Sequence, residues 1–185
     1  MIYNREILME KERGSENLKF LFFWRPTVTE GKITESCLSQ WWMCPFAVDG
    51  ITYSCAEQYM MAEKARVFHD KVMLEKIMET AHPKEMKAYG RAVQNFDEEH
   101  WNAVAYSIVK KGNLAKFSQN SALWNYLKQS RGRILVEASP RDRIWGIGMG
   151  QSNPDAQYPS KWRGKNLLGF ALMEARDILL EQEAE

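Results

Sequence analysis

Three short segments gather the side chains that could do chemistry. In Ser54-Cys55-Ala56-Glu57-Gln58-Tyr59-Met60-Met61-Ala62-Glu63-Lys64-Ala65, Glu57 and Lys64 lie seven residues apart. On a helix they share one face, about 10 Å apart along the axis. A carboxylate at one end and an amine at the other can bracket a small ligand. The same Glu57 also fits the third position of a capping box begun by Ser54, and Lys64 fits a solvated amine. In Leu135-Val136-Glu137-Ala138-Ser139-Pro140-Arg141-Asp142-Arg143-Ile144-Trp145-Gly146, an apolar strand runs into a charged turn. Ile134 and Val136 alternate with Leu135 and Glu137 across its two faces. Desolvation there raises a carboxyl pKa unless a cation pairs with it, and a carboxyl tuned upward can act as a general acid. Asp142 is a second site carboxylate, the cap of a short Ser-Pro turn, or the ion-pair partner of Arg141 or Arg143. Trp145 either stacks on a planar base or belongs to the core. The third segment, Lys161-Trp162-Arg163-Gly164-Lys165-Asn166, sets basic groups and a glycine before a final helix. It is either a phosphate site or a charged loop with Asn166 as N-cap.

Other patterns carry less. Gly146-Ile147-Gly148-Met149-Gly150 lacks the third-glycine spacing and the following helix of a dinucleotide loop. Lys110, Lys111 and Lys116 read as a solvated helix end rather than a nucleic-acid groove. His69, His82 and His100 have no metal-ligand spacing, so no metal is expected. Cys37, Cys44 and Cys55 form an odd set without CxxC spacing, which reads as small buried residues in a reducing compartment.

The elements that must position these groups follow from local signals. Lys19–Trp24 reads as a strand, and Asp49-Gly50 between two apolar runs reads as a hairpin turn. Ser54 is expected to cap a helix to about Val67, Asp70 the next, and Pro83 to open a short one ending near Gly90. Asp97 caps a longer helix that Gly112 should end, with short pieces at Asn113–Phe117 and Ala122–Leu127 beyond it. A strand over Arg133–Ala138 and a last helix from Asn166, with Leu167, Phe170, Ala171 and Leu179 inward, complete the chain. Residues 1–17 are polar and expected to be loosely held, with the domain proper over 18–185. The expected fold class is mainly α, a single compact helical domain with a few short β-strands.

Composition sets bounds. The chain has 185 residues, is 45% hydrophobic and 12% aromatic, and carries 25 Lys+Arg against 24 Asp+Glu. That suffices for a core and supplies no global field for nucleic acid or anionic membrane. An anionic ligand must be held by a local cluster. No leader-like apolar stretch opens the chain, and the run at Phe20–Trp24 is too short to span a bilayer. A cytoplasmic protein with no membrane partner is expected.

Taken in order, six groups of residues resemble the YbiA-like family, also called NADAR. They are Leu38-Ser39-Gln40-Trp41-Trp42 with Pro45-Phe46; Gly50-Ile51-Thr52-Tyr53 with Ala56 to Ala65; Gly90-Arg91; Trp101 with Lys116-Phe117; Val136 to Gly146; and Trp162-Arg163-Gly164-Lys165-Asn166-Leu167-Leu168-Gly169. The resemblance runs from Phe20 to Ile178. It implies a mostly helical YbiA-like fold and an N-glycosidase activity. Implied substrates are phosphoribosylamino-pyrimidine intermediates of riboflavin synthesis or ADP-ribosylated guanine; a non-catalytic ADP-ribose-binding module is the third possibility. The resemblance raises Glu57, Lys64, Glu137 and Asp142 to catalytic candidates. Trp41, Arg143, Trp145, Trp162, Lys165 and Asn166 become substrate-binding candidates, and no cofactor is implied. The family's usual His after the helix Glu is Gln58 here, and its usual Tyr after the first Trp is Trp42; both changes fall near the expected pocket.

Overall fold

A computed structural model describes residues 1–27 and 31–184; of the expected 18–185 body, 28–30 and 185 lie outside the described residues. In chain order the elements are α1 (Arg5–Arg13), β1 (Phe20–Phe23), β2 (Met43–Val48), β3 (Ile51–Cys55), α2 (Ala56–Val67), α3 (Lys71–Glu79), α4 (Pro83–Arg91), α5 (Glu98–Ser118), α6 (Ser121–Gln129), β4 (Ile134–Glu137) and α7 (Leu167–Ala184). Short 3-10 turns occupy Glu35–Leu38, Pro154–Gln157 and Pro159–Lys161. The fold is mainly helical with a few short strands, as the sequence implied. Among the described residues no helix is long and apolar enough to cross a membrane.

The chain divides into two units, residues 40–120 and residues 1–39 with 121–185. In the 40–120 unit, β2 and β3 form an antiparallel hairpin. Asp49 and Gly50 both take positive φ, 50° and 79°, as a two-residue turn matched to strand twist requires. α2 follows β3 directly and packs against α3, α4 and α5. Its cap differs from the expected one. Cys55 holds the N-cap position without a side-chain hydrogen bond. Ser54 stays in β3, where its N–H and hydroxyl both donate to Gln58 Oε1, at 2.7 and 3.0 Å. Asp70 and Asp97 cap as expected, accepting from Met73 N and His100 N.

α5 runs straight through Gly112, which was expected to end it. A Cβ at Gly112 would lie 2.4 Å from the Tyr59 ring, so this glycine lets α2 and α5 approach rather than stopping a helix. Asn113–Phe117 is therefore the last turn of α5, not a separate piece. Tyr53, Tyr59 and Phe46 fill the core beside it, with ring centroids 5.1–6.2 Å apart.

In the other unit, β1 and β4 pair in parallel, from Phe20 opposite Ile134 to Phe23 opposite Glu137. α7 lies on β4, and a Cβ on Gly169 would sit 2.1 Å from Leu135 O. Phe170, Ala171 and Leu179 are buried as expected, while Leu167 is half-buried. The N-terminal segment is not loose. Residues Arg5–Arg13 form α1, capped by Asn4 Oδ1 accepting from Ile7 N at 2.8 Å. Arg5 donates to the carbonyls of Pro159 and Ser160, Ser160 N donates to Glu12, Ile2 N donates to Glu174, and Tyr3 donates to Asp177. These contacts lie more than 140 residues away in sequence, which is why composition alone made the segment look unheld.

Candidate active site

α2 carries the first candidates. Glu57 is 5% exposed, and its backbone N–H donates to Gln40 O at 2.9 Å. That bond fixes the start of α2 to the residue preceding Trp41, itself half-buried. Gln58, where the family's His was expected, is committed elsewhere. Its Nε2 donates to Ile77 O at 3.0 Å while its Oε1 accepts from Ser54, so it joins α3 to β3. Two turns beyond Glu57, Lys64 is half-buried with its ammonium 4.0 Å from the Phe96 ring centroid and 5.8 Å from that of Trp101. Burial, and then the charge of Arg91, hold this amine below the ordinary lysine value.

Charge patterning missed one residue here. Lys116 was expected at a solvated helix end, yet it is fully buried. It lies one turn past Asn113, whose Nδ2 donates to Gln40 Oε1 at 2.9 Å, so the polar face of α5 turns inward toward the start of α2. Burial pushes the thiols of Cys44 and Cys55 up, and the Lys116 charge works against that shift at both. All three cysteines are buried. A buried lysine has no signature in one sequence; only the inward Asn113–Phe117 turn reveals it.

The 1–39/121–185 unit presents the remaining candidates. Glu137 ends β4, half-buried, with its N–H donating to Asn166 Oδ1 and its carbonyl accepting from Ile147 N, both at 2.9 Å. Asp142 Oδ1 accepts from the N–H groups of Ile144 (2.9 Å) and Trp145 (2.7 Å), and its carbonyl from Gly148 N. One oxygen of Asp142 thus holds the turn, as the capping alternative described. Arg143 and Lys165 are exposed, and Trp145 is half-buried.

Two segments that look separate in sequence are knitted together. Arg163 N donates to Ile147 O, Lys165 N to Arg143 O, Asn166 N to Gly146 O, Leu167 N to Ile144 O and Leu168 N to Trp145 O. The phosphate-site alternative needs Gly164 to admit a phosphate close to the backbone. Its open side is filled instead by the chain: a Cβ would lie 2.2 Å from Gly146 O and 2.8 Å from Arg143 Cα. Asn166 is fully buried with φ 57°, and its Nδ2 donates to Leu135 O at 2.9 Å. Its side chain thus bolts β4, where an N-cap would have bonded its own helix. Trp162 is 2% exposed and donates to Ala156 O at 2.9 Å. Within this unit Glu137, Asp142, Arg143, Trp145 and Lys165 share one hydrogen-bonded scaffold, and Trp162 and Asn166 are its internal supports.

Comparison with known proteins agrees with this architecture. Residues 22–180 match the model of the NADAR domain. The chain is 38% identical over 167 residues to an N-glycosidase of Acanthamoeba polyphaga mimivirus, covering 88% of this chain and 97% of that one. It is 31% identical over 135 residues to the N-glycosidase YbiA of Escherichia coli, covering 73% and 76%. The NMR structure of the E. coli protein YbiA superposes with a TM-score of 0.73 at 27% identity, covering 90% of this chain and 88% of that one.

Proposed function

Because the chain belongs to the NADAR family, we propose that it is an N-glycosidase that hydrolyses the ribose–nitrogen bond of phosphoribosylamino-pyrimidine intermediates of riboflavin synthesis. Relatives named N-glycosidase support the reaction class. The observation that carries the reading is the knitted scaffold. It presents a half-buried carboxylate, Glu137, together with the exposed cations Arg143 and Lys165, which suit a phosphorylated ribosyl group.

Breaking the C1′–N bond sends its electron pair to the departing nitrogen and leaves positive charge on the ribose. A carboxylic acid must deliver a proton to that nitrogen, a carboxylate must stabilise the oxocarbenium ion, and water must add to C1′ and give up its proton. Glu57 and Glu137 take these two carboxyl roles. Lys64, with its lowered pKa, offers a second route. Its neutral amine attacks C1′ of the ring-opened sugar, expels the base, and forms a Schiff base that water then hydrolyses. Asp142 acts through the turn it holds, and Trp145, half-buried on the same turn, offers a ring to the substrate.

The test offers purified protein a ribosylaminopyrimidine phosphate and an ADP-ribosylated guanine oligonucleotide in parallel, with borohydride present to trap an imine. Release of the free aminopyrimidine supports the proposal. Release of guanine from the oligonucleotide alone overturns the substrate assignment, and ADP-ribose binding without any base release overturns the enzyme. A mass adduct on Lys64 supports the Schiff base route, and turnover without one removes it.

A further inference from the structure

The carboxyl ends of β1 and β4 open on a hollow of about 530 Å³ lined by Trp24, Ala138, Pro140, Gly150, Gln151 and Ser152. The parallel register ends at the pair Phe23 and Glu137; Trp24 and Ala138 are the first residues beyond the two strands. Crevices beyond the carboxyl ends of parallel strands are where open α/β sheets receive ligands, because the connecting chains diverge there. The hollow is built rather than incidental. Ala138 N donates to Phe23 O at 2.8 Å, which carries the pairing up to its rim. Thr27 N donates to the buried Ser36 Oγ at 3.1 Å, fixing the chain just after Trp24. Asn153 N donates to Gly150 O at 3.0 Å, closing the turn that carries Gln151 and Ser152.

Its chemistry is that of a planar ligand. Trp24 keeps 38% of its surface exposed, although an indole buries readily. The Arg25 guanidinium lies over one face of its ring, 4.5 Å from the centroid, a cation–π contact. Ala138, Pro140 and Gly150 make an apolar wall. The Gln151 amide and the Ser152 hydroxyl are exposed, and neither makes a side-chain hydrogen bond among the described residues.

We propose that this hollow receives the planar, amino-substituted heterocycle of the N-ribosyl substrate, with Trp24 as stacking platform and Gln151 and Ser152 as readers of its hydrogen-bonding edge. A glutamine amide offers a donor and an acceptor side by side, which matches the edge of an aminopyrimidinone or a purine. Arg25 sets a positive charge near a base that gains negative charge as it departs. The assignment rests on the N-glycosidase reading for the word substrate, so its test reads binding as well as turnover.

The wild-type protein and the Trp24→Ala, Trp24→Phe and Gln151→Leu variants are titrated with a free aminopyrimidinone and with guanosine, following the indole N–H resonance that Trp24→Phe removes. Stacking on an aromatic side chain makes a difference of about tenfold or more in affinity. The aminopyrimidinone should therefore shift the Trp24 resonance, Trp24→Ala should weaken binding by about that factor, and Trp24→Phe should restore most of it. Gln151→Leu should weaken binding of both heterocycles, since the amide pairs with the edge of either. An unmoved Trp24 resonance at saturation, or a Trp24→Ala protein that binds like wild type, overturns the proposal. Base release with an unchanged KM in Trp24→Ala overturns the hollow and leaves the N-glycosidase intact. Base binding at Trp24 without any bond cleavage supports the hollow and counts against the enzyme alone.

Discussion

Replacing Asn166 by alanine should destabilise the fold more than any ordinary loop substitution. Two backbone groups would lose their partners, the part-buried Glu137 N–H and the buried Leu135 carbonyl, each now bonded at 2.9 Å. A buried polar group left unsatisfied costs about 1–3 kcal/mol. Asn166 also sits at φ 57°, a region where its own side chain makes the backbone tolerable and alanine adds about 1 kcal/mol. The sum is about 3–7 kcal/mol, a large part of the roughly 5–15 kcal/mol that stabilises a native domain. Urea denaturation followed by circular dichroism, with unchanged slope, measures it directly. Asn166→Gly should lose about 1 kcal/mol less than Asn166→Ala, because it relieves the backbone conformation but not the lost bonds. Asn166→Asp keeps the acceptor for Glu137 but buries a carboxylate against the Leu135 carbonyl, so at neutral pH it should be at least as destabilising as alanine. A loss below about 1 kcal/mol for Asn166→Ala, on that same scale, would refute the claim that this side chain holds β4 to the site loop.

Three further outcomes follow from the geometry. The depressed Lys64 pKa means its neutral, nucleophilic fraction rises with pH below the range of an ordinary lysine. Borohydride trapping should rise with pH accordingly, Arg91→Gln should move the midpoint upward, and Lys64→Arg should trap nothing; an unmoved midpoint in Arg91→Gln would count against this. Gly164→Ala should lower the melting temperature markedly, since its Cβ would meet Gly146 O at 2.2 Å, whereas Gly150→Ala meets Pro140 at an ordinary 3.6 Å and should be tolerated. Burial, and next the hydrogen bond to Asp177, raise the Tyr3 pKa from 10.0 to about 12. The neutral phenol therefore stabilises the folded state fully below about pH 10, and this contribution disappears as pH climbs to 12. Thermal melts across that window should show a decline in wild type that Tyr3→Phe lacks.

What the sequence revealed was local chemistry. Asp70, Asp97, Pro83 and Asp49-Gly50 act within a few residues, and each sits in the structure where its type and spacing placed it. The signals that misled were those whose meaning lies far along the chain. Gly112 reads as a helix stop until the Tyr59 ring is laid against it, and Ser54 reads as a cap until Gln58 claims its hydroxyl. Asn166 has the side chain of an N-cap, but its partners are 29 and 31 residues upstream. The candidate site shows the same division. The residue types of Glu57, Lys64 and Glu137 were legible from the motifs, whereas the burial of Lys116 and the knitting of 143–147 to 163–168 come only from packing.

The central claim is cleavage of a ribose–nitrogen bond through Glu57 and Glu137. The most direct measurement is release of the free aminopyrimidine and ribose 5-phosphate from a ribosylaminopyrimidine phosphate, by wild type and by the Glu57→Gln and Glu137→Gln variants, each first shown to be folded. Wild-type protein should liberate both products in equal amounts, and each variant should be slower by about two to four orders of magnitude, the range typical of a lost acid–base group. No release by wild type, or undiminished release by both variants, would contradict it.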